Sequence, residues 1–452
     1  MRNICFVFHV HEPFRLKRYR FFDIGQDHYY YDDFQTEGRI ANLVEQSYLP
    51  ANRTLLEMIK SSNGKFRCAF AISGVAMEQM ELYAPELIDS FKALADTKCV
   101  EFLAVPYSYS LAAMYDFDEW ENQLNLHAEK IQNLFGLKPT TLFNTELLYS
   151  DEIGEHALKL GYKTILTEGS RLVLGWKSSD YLYHSSVNPR LKILMRNPKL
   201  SDDIAFRFSD YSWKDYPLDA EKYVSWISGI QDDSPIVNLW MGYETFGLRQ
   251  TSSTGIFDFL KAIPYFAMEQ GMGFMTPSEA GKKLTSVDAV VSPYPLLWTG
   301  EAKDLSTFTG NDLQQEALRK LYAVAERVRL CQDKSLKHDW QLLQSIDHFR
   351  YMNHIDAAGT NYESAYDAFV NYMNVLADFL ERVEEQYPTT IDNEELNELL
   401  KTINNQEKEI VQLEKEIRTL RSRPKKEAPA AAAEPVAEAP VKKKKTAAKK
   451  QK

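Results

Sequence analysis

The chain has 452 residues, 44% hydrophobic and 12% aromatic, with a net charge of −11. Residues 424–452 carry nine Lys and three Glu, so that segment is +6 and the remainder −17, which argues against nucleic acid as the partner of the folded part. Cys5, Cys68, Cys99 and Cys331 lack metal-ligand spacing, no run is long enough to span a membrane, and Met1–Pro13 reads as a first strand; a cytoplasmic protein with no metal and no cofactor is expected.

From residue 1 to 285, apolar runs alternate with amphipathic helical stretches. Strands are expected at Ile4–Val10, Phe66–Ile72, Val100–Ala104, Thr141–Phe143, Thr164–Thr167, Ile204–Phe208, Ile236–Trp240 and Gly273–Met275. Helices such as Trp120–Leu134 and Asp151–Leu160 lie between them. This alternation implies an α/β fold with a parallel sheet buried on both faces, closed or nearly closed as a TIM-like barrel. Over residues 286–390 the helices Asp312–Leu330, Leu336–Phe349 and Tyr362–Gln386 suggest a bundle packed on the barrel. In residues 391–423, Leu396, Ile403, Ile410 and Ile417 recur every seventh position, with Leu399, Gln406, Leu413 and Leu420 three after each. That heptad seam predicts a coiled coil and a homodimer through residues 396–420, although Glu409 and Glu414 would repel across a parallel pair. Residues 424–452 are Ala/Pro/Lys-rich and expected to be disordered.

Chemistry concentrates at strand ends, where barrels place their sites. Glu146, in Phe143-Asn144-Thr145-Glu146-Leu147-Leu148-Tyr149, follows a strand, where it can also serve as an N-terminal charge for the next helix. His11 and Glu12, in Phe8-His9-Val10-His11-Glu12-Pro13, end the first strand. Trp240-Met241-Gly242-Tyr243-Glu244-Thr245-Phe246-Gly247 ends another, and Asp347-His348 lies on a late helix.

These boxes, with Val100–Leu111 and Trp298–Ser306, resemble glycoside hydrolase family 57, α-amylase type. The resemblance implies a barrel followed by an α-helical domain that completes the cleft. It also implies an α-glucan or maltooligosaccharide as substrate, with Glu146 as nucleophile. His11, Glu12, Trp240, Tyr243, Trp298, Asp347 and His348 would contact sugar. Gly242 occupies the position of the general acid/base Asp. Val105 and Pro106, Leu248 and Arg249, and Gly300 replace further polar residues, so the cleft is expected to be stripped while the frame is kept. A retaining glycosidase needs two carboxyls about 5–5.5 Å apart, and losing a general acid costs about 10²–10⁴-fold. Three readings follow: a glucan-binding protein with weakened or lost hydrolysis, an active enzyme with Glu244 as substitute acid, or an assembly protein acting through its coiled coil and basic tail.

Overall fold

The computed structural model describes residues 1–230, 233–353 and 362–386, with scattered positions between 402 and 417. Residues 1–389 form one compact unit and residues 390–452 a second. In the first, β1 (Asn3–Val10) runs parallel to β2 (Cys68–Ile72), which pairs with β3 (Val100–Phe102). A parallel bridge between Ala104 and Leu142 leads on to β4 (Thr141–Phe143), and β4 pairs with β5 (Thr164–Glu168). The hairpin partners β6 (Tyr183–Ser185) and β7 (Lys192–Arg196) follow, with β7 lying parallel to β5. Finally β8 (Ile236–Gly242) returns to β1 in register Asn3 to Ile236 through His9 to Gly242.

The seam between β7 and β8 has no regular ladder. There the Asn197 amide donates to the Asn238 carbonyl at 2.9 Å, and the Asn238 side chain donates to the Met195 carbonyl at 2.7 Å. Seven of these strands, β1–β5, β7 and β8, thus curl into an incomplete (β/α)7 barrel, with β6 antiparallel on β7. Alternation sets its two layers. Cys5, Val7, Ala69, Ala71, Ile236 and Trp240 fill the interior cluster, while Ile4, Phe6, Phe8, Phe70, Leu239 and Met241 pack outward in the second cluster. Such burial contributes about 1.5–3 kcal/mol per large apolar side chain.

One expected strand is corrected. Residues 203–207 form a π-helical turn after the helix Pro198–Asp202. Asp203 pairs with Lys199 and with Arg207, four residues away on either side, a spacing that favours helix. The strand that was overlooked is β7, whose three apolar residues sit between Lys192 and Arg196.

The helical segment is also more broken than periodicity suggests. The expected helix 312–330 divides into Asp312–Tyr322 and Ala325–Leu330, with the Trp340 indole donating to the Leu321 carbonyl at the break. The expected helix 336–349 divides into Lys334–Leu343 and Ile346–Arg350. At that break Ser345 bridges to Ser110, and the Ile346 amide donates to the Tyr109 carbonyl at 3.2 Å. The last helix is Ala365–Gln386.

Of the heptad positions, Leu396, Leu399, Ile403 and Leu420 lie outside the described residues, as does the tail. The described residues between 402 and 417 are helical, and Ile410, Leu413 and Ile417 are exposed.

Gly247 shows what the frame demands. Its φ is +103°, and an added Cβ would lie 1.9 Å from the Gln46 carbonyl oxygen. Gly247→Ala should cost about 2–4 kcal/mol. Gly136→Ala, at φ +68° with nothing near, should cost about 1 kcal/mol. Calorimetric melting of the two variants checks this, and equal losses would contradict the steric account.

Candidate active site

The C-terminal ends of the strands surround a cavity of about 640 Å³. Glu146 enters it from the turn after β4. Its backbone is left-handed, at φ 52° and ψ 29°, and its side chain is only 7% exposed. A buried carboxylate needs donors, and three side chains supply them. The Trp298 indole donates to Oε2 at 2.6 Å, the Thr299 hydroxyl donates to the same oxygen, and the Tyr109 hydroxyl donates to Oε1 at 3.1 Å. The Tyr109 oxygen in turn accepts from the Glu146 amide at 3.0 Å, and the Trp298 amide donates to the Glu146 carbonyl at 3.0 Å. Glu146 is therefore clamped by the loop after β3 and by the segment that opens the helical region. The helix that follows it, Asp151–Lys159, has its own cap in Ser150, so Glu146 is not its N-terminal charge.

Gly242 ends β8 on the interior side, two residues after Trp240, and lines the cavity. Its φ of −62° and ψ of 138° are open to any residue. The space its side chain would enter is filled by Glu244, since a Cβ on Gly242 would lie 2.4 Å from both Glu244 carboxylate oxygens. Arg249 donates to Glu244 Oε1 at 3.0 Å and stacks over Phe206 at 4.7 Å.

Across the cleft, His11 joins barrel to helices. Its Nδ1 lies 2.8 Å from Ser73 Oγ, its Nε2 lies 2.8 Å from Asp347 Oδ2, and its ring packs 4.3 Å from that of Tyr109. Burial acts to raise the Asp347 carboxyl, but the attraction of His11 and its hydrogen bond prevail and hold it well below the usual carboxylate range. Glu12 lines the cavity and is paired with Arg39 at 2.9 Å; burial pushes its carboxyl up against that attraction.

Three of the residues expected to contact sugar do not line the cavity. Trp240 is wholly buried inside the barrel, its carbonyl accepting from Arg196 Nε at 2.8 Å and its amide donating to Ser201 Oγ at 3.2 Å. Tyr243 faces the outer layer, where its hydroxyl donates to Asn52 at 2.6 Å. His348 is buried against Tyr372, with its Nε2 3.3 Å from the Leu342 carbonyl, and burial lowers its pKa to about 4. Strand parity accounts for Tyr243, an odd-numbered neighbour of inward-facing even positions.

The expectation of a stripped cleft is corrected too. Val105 and Pro106 are buried and form no wall of the cavity. Its lining includes Arg15, Arg39, Arg196, Arg249, Lys303 and Arg350, so it is rich in charge. Other lining residues escaped notice in the sequence. His9 stacks on Tyr109 and Phe143, burial lowers its pKa to about 3, and its Nε2 has no protein partner among the described residues. Arg196 lies 5.5 Å from the Trp298 ring and bonds Asp202 and Glu168. Burial pushes the Glu168 carboxyl up to about 6. Tyr109 lies within the Val100–Leu111 segment, yet its positive φ of 53° has no signal in the sequence.

The His11–Asp347 pair gives a pH test. The folded carboxyl lies below its unfolded value of about 3.9, so its stabilisation is complete above that value and is lost as pH falls through the folded one. Asp347→Asn should cost about 1–3 kcal/mol near neutrality, shrinking in acid. Urea denaturation at about pH 7 and about pH 3 measures it, and an undiminished deficit in acid contradicts the ionic contribution.

The comparisons with known proteins agree with this geometry. A family model for glycosyl hydrolase family 57 matches residues 5–293. A Methanocaldococcus jannaschii protein named "Putative alpha-amylase" is 31% identical over 406 residues, covering 84% of this chain and 85% of its own. A family 57 branching enzyme from Thermococcus kodakaraensis superposes with a TM-score of 0.63 at 13% identity, over 86% of this chain and 94% of that one. The family 57-type branching enzyme of Pyrococcus horikoshii gives a TM-score of 0.60 at 15% identity, over 89% of this chain and 95% of that one. These two likenesses show the fold, and the family match with the 31% relative shows the lineage: the chain belongs to glycosyl hydrolase family 57.

Proposed function

We propose that the protein binds α-glucan in this cavity, with Glu146 as nucleophile, and that its hydrolysis of ordinary glucans is weakened because Gly242 supplies no acid. The observation that carries this reading is the Glu146 carboxylate, clamped by Tyr109, Trp298 and Thr299 at the edge of a cavity with no side chain at 242. A retaining mechanism needs both a nucleophile and a proton donor to the leaving oxygen. His11, Glu12, Trp298 and Asp347 line the same cavity and are suited to hold sugar hydroxyls.

A second reading rests on Glu244. Its carboxylate occupies the volume a 242 side chain would take, so proton transfer at that point could pass to it. The assembly reading rests on the exposed Ile410, Leu413 and Ile417, a seam suited to a second copy. Four buried free thiols suit a reducing compartment such as the cytoplasm, and among the described residues no helix is long and apolar enough to cross a membrane.

α-Maltosyl fluoride separates these readings, since fluoride leaves without protonation. A fluoride burst that Glu146→Gln abolishes, with starch turnover at least about 10²-fold below it, is expected. Fast starch turnover lost in Glu244→Gln would favour the second reading. Gly242→Asp should raise starch hydrolysis, because the backbone accepts Asp and only the flexible end of Glu244 must move. Sedimentation of the full chain against one ending at Pro388 tests the seam: the shorter chain should lose the dimer, and equal association states would remove that role.

A further inference from the structure

Charges in the cleft cancel in pairs. Glu12 is paired with Arg39, Asp202 with Arg196, Glu244 with Arg249 and Asp347 with His11. Glu146 is the lining carboxylate left to neutral donors. Two lining cations, Arg15 and Lys303, form no direct ion pair among the described residues, although Arg15 acts at longer range on the Glu12 carboxyl and Lys303 on that of Glu168. Lys303 is fixed beside the nucleophile. Its backbone is left-handed at φ 56°, and its Nζ donates at 2.5 Å to the carbonyl of Trp298, whose indole holds Glu146. The carboxylate over Gly242 belongs to Glu244, which accepts from Arg249 and stands where a side chain at 242 would lie.

A nucleophile without an adjacent acid, beside unmatched cations, fits a leaving group that is anionic and needs no proton. We infer that the glycosyl donor is an α-glycosyl phosphate and that the protein transfers its sugar to a glucan hydroxyl. This rests on the reading of Glu146 as nucleophile. In the first half-reaction a Glu146 oxygen bonds to the anomeric carbon. The bond from that carbon to the phosphate oxygen breaks, and its electron pair leaves with inorganic phosphate, met by Arg15 and Lys303. In the second, a glucan hydroxyl oxygen attacks the same carbon, and the ester bond breaks to restore the Glu146 carboxylate. The hydroxyl proton passes to Glu244 and then to water. Two displacements retain the α configuration.

The test uses the full chain with α-glucose 1-phosphate as donor and maltotetraose as acceptor, reading released phosphate and lengthened glucan. Both should appear in the wild type and vanish in Glu146→Gln. The double variant Arg15→Gln/Lys303→Gln should lose at least about 10²-fold more turnover with the phosphate than with α-glucosyl fluoride, the size of two lost charge-assisted hydrogen bonds. If the fluoride is consumed at Glu146 while glucose 1-phosphate is untouched, the phosphate inference falls and the nucleophile stands. If neither donor reacts, both fall. Phosphate release that survives Glu146→Gln also overturns the inference.

Discussion

A carboxylate taken out of water must be met by donors or it costs several kcal/mol. Glu146 satisfies that constraint with side chains from two distant parts of the chain, Tyr109 after β3 and Trp298 with Thr299 beyond the barrel. Its left-handed backbone turns the carboxylate toward them. Tyr109 then reaches further, since its carbonyl receives the Ile346 amide where the long helix breaks. That break sets Asp347 against His11. Glu146, barrel floor and helical segment are thus tied by one residue on a strained loop.

The charge-paired lining has a physical consequence for ligand entry. Each pair holds its long side chains in one geometry, which favours a preorganised site over an adaptable one. His9 adds a neutral imidazole on the floor, its ring packed between Tyr109 and Phe143 and its Nε2 without a protein partner.

Much of the barrel was legible because its strands are short apolar runs buried on both faces, and seven of the eight expected segments hold strands, Ile4–Val10, Ile236–Trp240 and Gly273–Met275 among them. Lys192–Arg196 was missed because charges at both ends disguise three apolar residues, and Arg196 was lost with it. Glu146, His11 and Asp347 were legible through local wording. The orientation of Tyr243 and His348 was not, because which face a side chain takes is settled by register and packing. The charge pairing was hidden for the same reason: Arg39 lies 27 residues from Glu12, and His11 lies 336 from Asp347.

Two glycines in one motif separate what the fold requires from what the chemistry allows. Gly247 is compelled, by a positive φ and by the Gln46 carbonyl against its Cα. Gly242 is not, because its backbone is ordinary and its only close neighbour is the movable end of Glu244. A glycine that the frame does not need, at the point where protonation would occur, is a statement about the site. Its effect is to admit the Arg249-paired carboxylate of Glu244 into the volume that a side chain at 242 would take.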